Sequence, residues 1–214
     1  MPDMDEYPIV PLASVCGTYL LALIEKLHND AASPVRIVAV VVSSPDAPAL
    51  VAAEDAGIAT YVVSRDDFGS REERDRALAA VVAGADPRLV VLAGWMSILT
   101  PDFLDRFPDR VINLHPSMLP AFPGMHAIEE ALEWGVRYTG VSVHYADPQV
   151  DGGPPILQEP VPVTSADSVE SLRERIRQVE HRILPQAVAL FAAGRVSRDP
   201  ERRRRVVIHD GSSE

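Results

Sequence analysis

Three polar residues stand where chemistry, more than packing, would explain them. Asn113 and His115 follow a β-rich run, Arg110-Val111-Ile112, and lead at once into Pro116 and Ser117. Asp151 belongs to a second tight turn, Val150-Asp151-Gly152-Gly153-Pro154. Strand ends and Gly/Pro-rich turns let polar side chains meet outside a sheet instead of being buried in it. An amide, an imidazole and a carboxylate make a set for chemistry at a carbonyl. Asn113 can donate a hydrogen bond to an oxygen that gains charge, and His115 can move a proton near neutral pH. Asp151 can hold the imidazolium and favour its charged form. The set suits attack by an amine on an acyl carbon, with no covalent enzyme intermediate required. Taken singly, each residue has a plainer reading: a turn cap, a surface histidine, an ordinary Asp-Gly turn.

The surrounding sequence alternates strands and helices. Tyr7–Ala13 reads as a first strand, with Pro11 as its flaw, since proline cannot donate to a ladder and belongs where a strand frays. Residues 19–29 form a helix with Leu20, Leu23, Ile24 and Leu27 on one face. The run 35–42 reads as one strand covered on both faces, and residues 49–56 as a helix ended by Gly57. A third strand at 59–63 precedes a charged helix, 71–83, with a solvated face. Within it Arg71 and Asp75 read as capping and surface pairing. A buried strand at 89–93, a short helix at 101–107, a helix at 126–134 and an alternating strand at 138–145 follow. His144 could face either the site or the sheet. Residues 155–163, punctuated by proline, read as an edge strand, and Asp167 and Ser168 as caps of a long helix at 169–193. This pattern predicts an α/β fold: a mostly parallel twisted sheet with helices on both faces, Rossmann-like in architecture.

Composition narrows the function classes. A chain of 214 residues fits one domain, residues 1–214, with an N-terminal half at about 7–100, a C-terminal half at about 101–196 and a tail at 197–214. With 47% hydrophobic residues it can bury a sizeable core. A formal charge of −11 argues against nucleic acid as a partner, and the four arginines Arg202–Arg205 read as a solvated strand or tail. The sole cysteine, Cys16, excludes an intramolecular disulfide and a Cys-rich metal site, and no metal is expected. No apolar run is long enough for a membrane, and Met1 to Glu6 is acidic, unlike a signal peptide. A reducing, cytoplasmic setting is expected, with small-molecule substrates and a possible homodimer.

The run Ile-Asn-Leu-His-Pro-Ser-Met-Leu-Pro-Ala-Phe-Pro-Gly (112–124), with Gly-Val-Ser-Val-His (140–144) and Asp-Gly-Gly-Pro (151–154), closely resembles the formyltransferase family. The resemblance extends over residues 9–196. It implies that Asn113, His115 and Asp151 are the catalytic triad, that 10-formyltetrahydrofolate is the co-substrate, and that the acceptor is the amine of glycinamide ribonucleotide in purine synthesis. It further implies a folate-side wall at Trp95, Met96, Ser97, Ile98 and Leu99, with Val150 and Gly152. The family often has arginine where Ser97 stands, which removes one contact. Trp95 and Met96 read equally as plain core.

The same resemblance places the acceptor at Ser14, Val15, Cys16, Gly17, Thr18 and Tyr19, at Pro116, and at Glu180, a residue that reads otherwise as a surface charge. His144 and Ser117 become supports. The family pattern at the first turn is Gly-x-Gly-Ser, binding a phosphate where free backbone N–H groups open a helix. Here it is Val15-Cys16-Gly17-Thr18, and valine tolerates positive φ badly. That departure leaves room for formyl transfer to another amine, such as an amino sugar or a secondary metabolite. Hydrolysis of 10-formyltetrahydrofolate and a non-catalytic folate-binding module are further alternatives. A dinucleotide site is weaker, because Gly-x-Gly-x-x-Gly is absent after the first strand.

Overall fold

The computed structural model describes residues 6–14 and 17–210. The chain divides into two compact units, residues 1–112 and 113–214.

In the first unit, β1 (Tyr7–Ala13) is buried at every position but Pro8. It pairs in parallel with β2 (Val35–Ile37) and β3 (Val40–Val42) on one side, and β3 pairs in parallel with β4 (Thr60–Val62). On its other side lies β5 (Leu89–Leu92), also parallel. Such strands need cover on both faces, which explains their nearly unbroken apolar sequences. The strand order is β4-β3-β1-β5, and β6 (Val111–His115) follows as the strand that leads out of this unit.

Pro11 sits in the middle of β1, opposite Val91, and not where the strand frays. The reason lies in its neighbour. Residues 35–42 are two short strands, not one: Ile9 pairs with Ile37 but Leu12 with Val41, so three steps on β1 meet four on the other side. Ile9 and Ala13 direct their carbonyls to that side, accepting from Val38 and Ser43. Pro11, of the same parity, therefore presents its nitrogen to the interruption. The missing donor falls where a bulge has no use for one.

The helices of this unit are α1 (Thr18–Leu23), α2 (Pro48–Asp55), α3 (Arg71–Gly84) and α4 (Pro101–Arg106). The helix expected at 19–29 finishes as a π-helical turn, Ile24–His28, closed by the bond from Asn29 N–H to the Ile24 carbonyl at 2.9 Å. α1 packs on α2, and α3 on α4.

The second unit starts within β6 and carries α5 (Ala127–Glu133), β7 (Tyr138–Tyr145) and β8 (Pro155–Pro162). It ends in α6 (Val169–Ala192) and a hairpin of β9 (Val196–Arg198) with β10 (Val206–Ile208). β7 follows β6 in the sheet and pairs antiparallel with β8, an edge strand as its prolines require. β7 does not alternate: all positions after Tyr138 are buried, because α6 packs on β7 and β8. Ser168 caps α6 in a reciprocal box with Ser171, and Leu172, Ile176 and Leu184 bury its apolar stripe. The whole is an α/β fold with a mostly parallel, mixed sheet. The arginines 202–205 are exposed. Among the described residues no helix is long and apolar enough to cross a membrane.

Candidate active site

Asn113 and His115 are two residues apart on β6, so both project to one side of the strand. Asn113 is half-buried and His115 is buried. Beyond Pro116 the chain turns through Ser117, whose hydroxyl donates to the Ala121 carbonyl at 2.5 Å. Ser142, fully buried on β7, donates from Oγ to the Ser117 carbonyl (2.7 Å) and accepts from Leu119 N–H (3.0 Å). Gln158 on β8 donates to that same oxygen (2.8 Å) and to the Leu119 carbonyl (2.9 Å). The loop is thus clamped to two strands.

The clamped loop delivers two backbone groups to the site. Phe122, at φ +50°, turns its carbonyl to within 2.7 Å of His115 Nε2. Gly124 N–H donates to Asp151 Oδ2 at 2.8 Å. Asp151 Oδ2 also lies 3.2 Å from His115 Nδ1. A carbonyl can only accept, so Nε2 carries a hydrogen, and Nδ1 can donate to the carboxylate only in the doubly protonated ring. Two acceptors on one imidazole suit the imidazolium.

Asp151 reaches His115 from a turn that has its own constraint. Asp151 adopts φ +50°, which asparagine and aspartate tolerate better than most residues. Two residues on, a Cβ on Gly153 would stand 1.8 Å from the Tyr145 carbonyl. Only glycine lets this turn close on the end of β7, where Tyr145 N–H donates to the Pro154 carbonyl at 3.1 Å. Val150 is exposed, and the Gly152 carbonyl accepts from Arg204 at 3.4 Å. A cavity of about 270 Å³ behind the turn is lined by Leu119, Pro123, Gln149 and Arg204 among others.

His144 faces this site. Its Nδ1–H donates to the Tyr145 carbonyl at 2.8 Å, and its Nε2 lies 3.6 Å from Asp151 Oδ1, too far for a hydrogen bond. Burial pushes its pKa below the ordinary histidine value; the Tyr145 carbonyl and the Asp151 carboxylate pull upward, and His115 pushes down. His144 is therefore a neutral ring with its lone pair toward Asp151. Glu180, on α6, is buried, so the surface-charge reading is withdrawn.

The remaining residues singled out in the sequence lie in the first unit. Val15 and Cys16 fall outside the described residues. Ser14 Oγ accepts from Met96 N–H at 3.2 Å. Gly17 precedes α1 and meets α2 closely: a Cβ there would stand 3.2 Å from Ala49 N. Thr18 and Tyr19 begin α1. Trp95 and Leu99 are buried, Ser97 is half-buried, and Met96 and Ile98 are exposed. The core reading therefore holds for Trp95 and fails for Met96.

Asp75 was misread. It is buried with Arg74, whose guanidinium it binds, and its Oδ2 accepts from Thr100 N–H at 2.6 Å. The signal was available: Asp75, Leu78, Ala79 and Val82 share the buried stripe of α3 at helical spacing. Among the described residues no cluster of three or more His, Cys, Asp or Glu could hold a metal ion.

The chain is similar to known proteins over most of its length. The formyl transferase family model matches residues 8–188. The phosphoribosylglycinamide formyltransferase of Mycobacterium tuberculosis (strain CDC 1551 / Oshkosh) is 45% identical over 184 residues, 86% of this chain and 84% of that protein. That of Escherichia coli (strain K12) is 42% identical over 189 residues, 88% of either chain. The crystal structure of glycinamide ribonucleotide transformylase 1 from Symbiobacterium toebii matches with a TM-score of 0.91 at 41% identity, covering 96% of this chain and 95% of that one.

Proposed function

Because the chain belongs to the formyl transferase family, we propose that it moves a formyl group from 10-formyltetrahydrofolate to the amine of glycinamide ribonucleotide, in de novo purine synthesis. The observation that carries the reading is the His115–Asp151 pair, with Asn113 beside it on the same strand.

In this reading the acceptor amine attacks the formyl carbon and a C–N bond forms. Asn113 donates from its amide to the oxygen that gains charge. His115 supports the same oxygen from Nε2, exchanging its bond to the Phe122 carbonyl for the new one. Asp151 keeps His115 charged and oriented through Nδ1. The attacking nitrogen must lose a proton and the departing folate nitrogen must gain one. Asp151 Oδ1 and His144 Nε2 are the two acceptors closest to hand for that transfer. The bond to the folate nitrogen then breaks, leaving a formamide and tetrahydrofolate.

The exposed Met96 and Ile98 offer an apolar wall to the folate ring. Gly17 and Thr18, at the start of α1, are the described part of the turn assigned to the acceptor phosphate.

The test is release of tetrahydrofolate from 10-formyltetrahydrofolate, with and without glycinamide ribonucleotide. Release that requires the ribonucleotide supports the assignment. Release without it means hydrolysis. Binding without release in either case means a different amine.

A further inference from the structure

We propose that the buried Arg74–Asp75 pair is a positioning device for the folate: it holds the loop at residues 94–100 as a preformed wall. This inference rests on the formyl-donor reading given above.

The loop follows the carboxyl end of β5, where open parallel sheets carry their ligand sites. It is tied down at alternate residues. Ser14 holds its start, donating from N–H to the Gly94 carbonyl at 3.3 Å and accepting at Oγ from Met96 N–H at 3.2 Å. α3 holds its end. Arg74 Nη2 donates to the Ile98 carbonyl at 3.4 Å, and Asp75 Oδ2 accepts from Thr100 N–H at 2.6 Å. Between these anchors the Trp95 ring is buried beneath the Arg74 guanidinium, 5.8 Å from the ring centre.

The consequence is a rigid stretch whose two large outward side chains are apolar: Met96 is 56% exposed and Ile98 50% exposed. A pair that served stability alone could spend its hydrogen bonds anywhere in α3. This one spends them on the backbone of the loop that displays Met96 and Ile98. The Trp95 Nε1–H is buried with no hydrogen-bond partner among the described residues, which leaves a donor under the same wall. A flat, partly apolar heterocycle with polar edges is the ligand such a wall takes. Holding the loop in place before binding removes an ordering cost from the ligand's affinity and leaves the chemical step alone.

Two variants test this. The double replacement Arg74→Met, Asp75→Leu exchanges the pair for apolar groups of similar volume, a change buried pairs commonly tolerate, while every bond to the loop is lost. Arg74→Lys keeps the charge on Asp75 but gives up the planar contact with Trp95 and the reach to Ile98. In the double variant the KM for 10-formyltetrahydrofolate is expected to rise about 10-fold, with kcat and the KM for the amine within about 2-fold of wild type. Arg74→Lys is expected to raise the folate KM by about 3-fold, and it carries the test if circular dichroism shows the double variant unfolded. A folate KM at the wild-type value, or a fall in kcat that matches the rise in KM, overturns the positioning role.

A second readout does not depend on turnover. With the exposed Trp134 replaced (Trp134→Phe), Trp95 is the only tryptophan, and its fluorescence reports binding of tetrahydrofolate. Weaker binding in the Arg74 variants, in proportion to KM, supports the proposal. Equal binding in all of them overturns it alone. No binding of tetrahydrofolate to the Trp134→Phe protein overturns both this proposal and the formyl-donor reading.

Discussion

Each unit of the molecule buries a basic side chain against a carboxylate, Arg74 with Asp75 and His115 with Asp151, and the two pairs are built differently. In Arg74–Asp75 both carboxylate oxygens accept a hydrogen bond. One carboxylate oxygen holds the guanidinium, the other a backbone N–H, and the cation is permanent. In His115–Asp151 one carboxylate oxygen takes both Gly124 N–H and the imidazole, and the other lies 3.6 Å from His144 with no hydrogen bond. Burial alone does not tell two such pairs apart; what does is whether, among the described residues, a carboxylate oxygen is left without a hydrogen bond.

The largest expected effect lies at the second pair. Asp151→Asn keeps an acceptor for Gly124 N–H but removes the carboxylate charge beside His115 Nδ1. Turnover should fall by roughly 10²–10⁴-fold in steady-state assays, and so should that of His115→Asn. The urea midpoint should move little in either. Near-wild-type turnover would erase the distinction drawn here. At the first pair the expectation is inverted. Asp75→Asn leaves a buried guanidinium without its counter-charge and should cost about 3–5 kcal/mol in urea unfolding, with kcat nearly unchanged in the folded fraction.

Gly153→Ala sharpens the contrast by moving Asp151 without altering it. The added Cβ would overlap the Tyr145 carbonyl at 1.8 Å, so the turn must shift. A displacement of about 1 Å in a catalytic group can cost about 10²-fold, and kcat should fall by that order while folate binding persists. Unchanged kcat would mean that the turn, and with it Asp151, has no fixed place in the reaction.

Asn113, His115 and Asp151 stand out in the sequence because strand ends and glycine-rich turns expose polar side chains, and because their order matches a known family; of the three, the structure pairs His115 with Asp151. Asp75 was equally legible, as an acid on an apolar stripe, but the abundance of charge on α3 concealed it. Pro11 was a visible flaw whose remedy was not: the bulge that absorbs it lies on a different strand, and pairing register is not a local property. The carbonyl of Phe122 and the N–H of Gly124 could not be read at all, since every residue has both groups and only the loop's path selects these two. His144 is ambiguous because the alternation of residues 138–145 does not separate a core face from an open one when both faces are covered.

The smallest expected effect concerns that histidine, and it is a matter of pH. Burial holds the folded His144 below its ordinary value of 6.5, and burial with Arg36 does the same to His28. Between those lowered values and about 6.5 the unfolded chain binds more protons than the folded one, so stability rises with pH through that window. The contribution is complete above about 6.5 and is lost as pH falls toward the folded values. Asp167 and Glu170 are also held down, the first chiefly by Arg175 and the second chiefly by hydrogen bonding to its own backbone N–H. Their ordinary values of 3.8 and 4.5 put their loss at lower pH. Urea midpoints of the wild-type protein should therefore be lower at about pH 5.5 than at about pH 7.5, and His144→Gln should shrink that difference, leaving the part due to His28. If His144→Gln leaves the difference intact, His144 is not a neutral ring in the folded protein. The lone pair assigned to the proton transfer would then be absent, and Asp151 Oδ1 would be left as the only acceptor there.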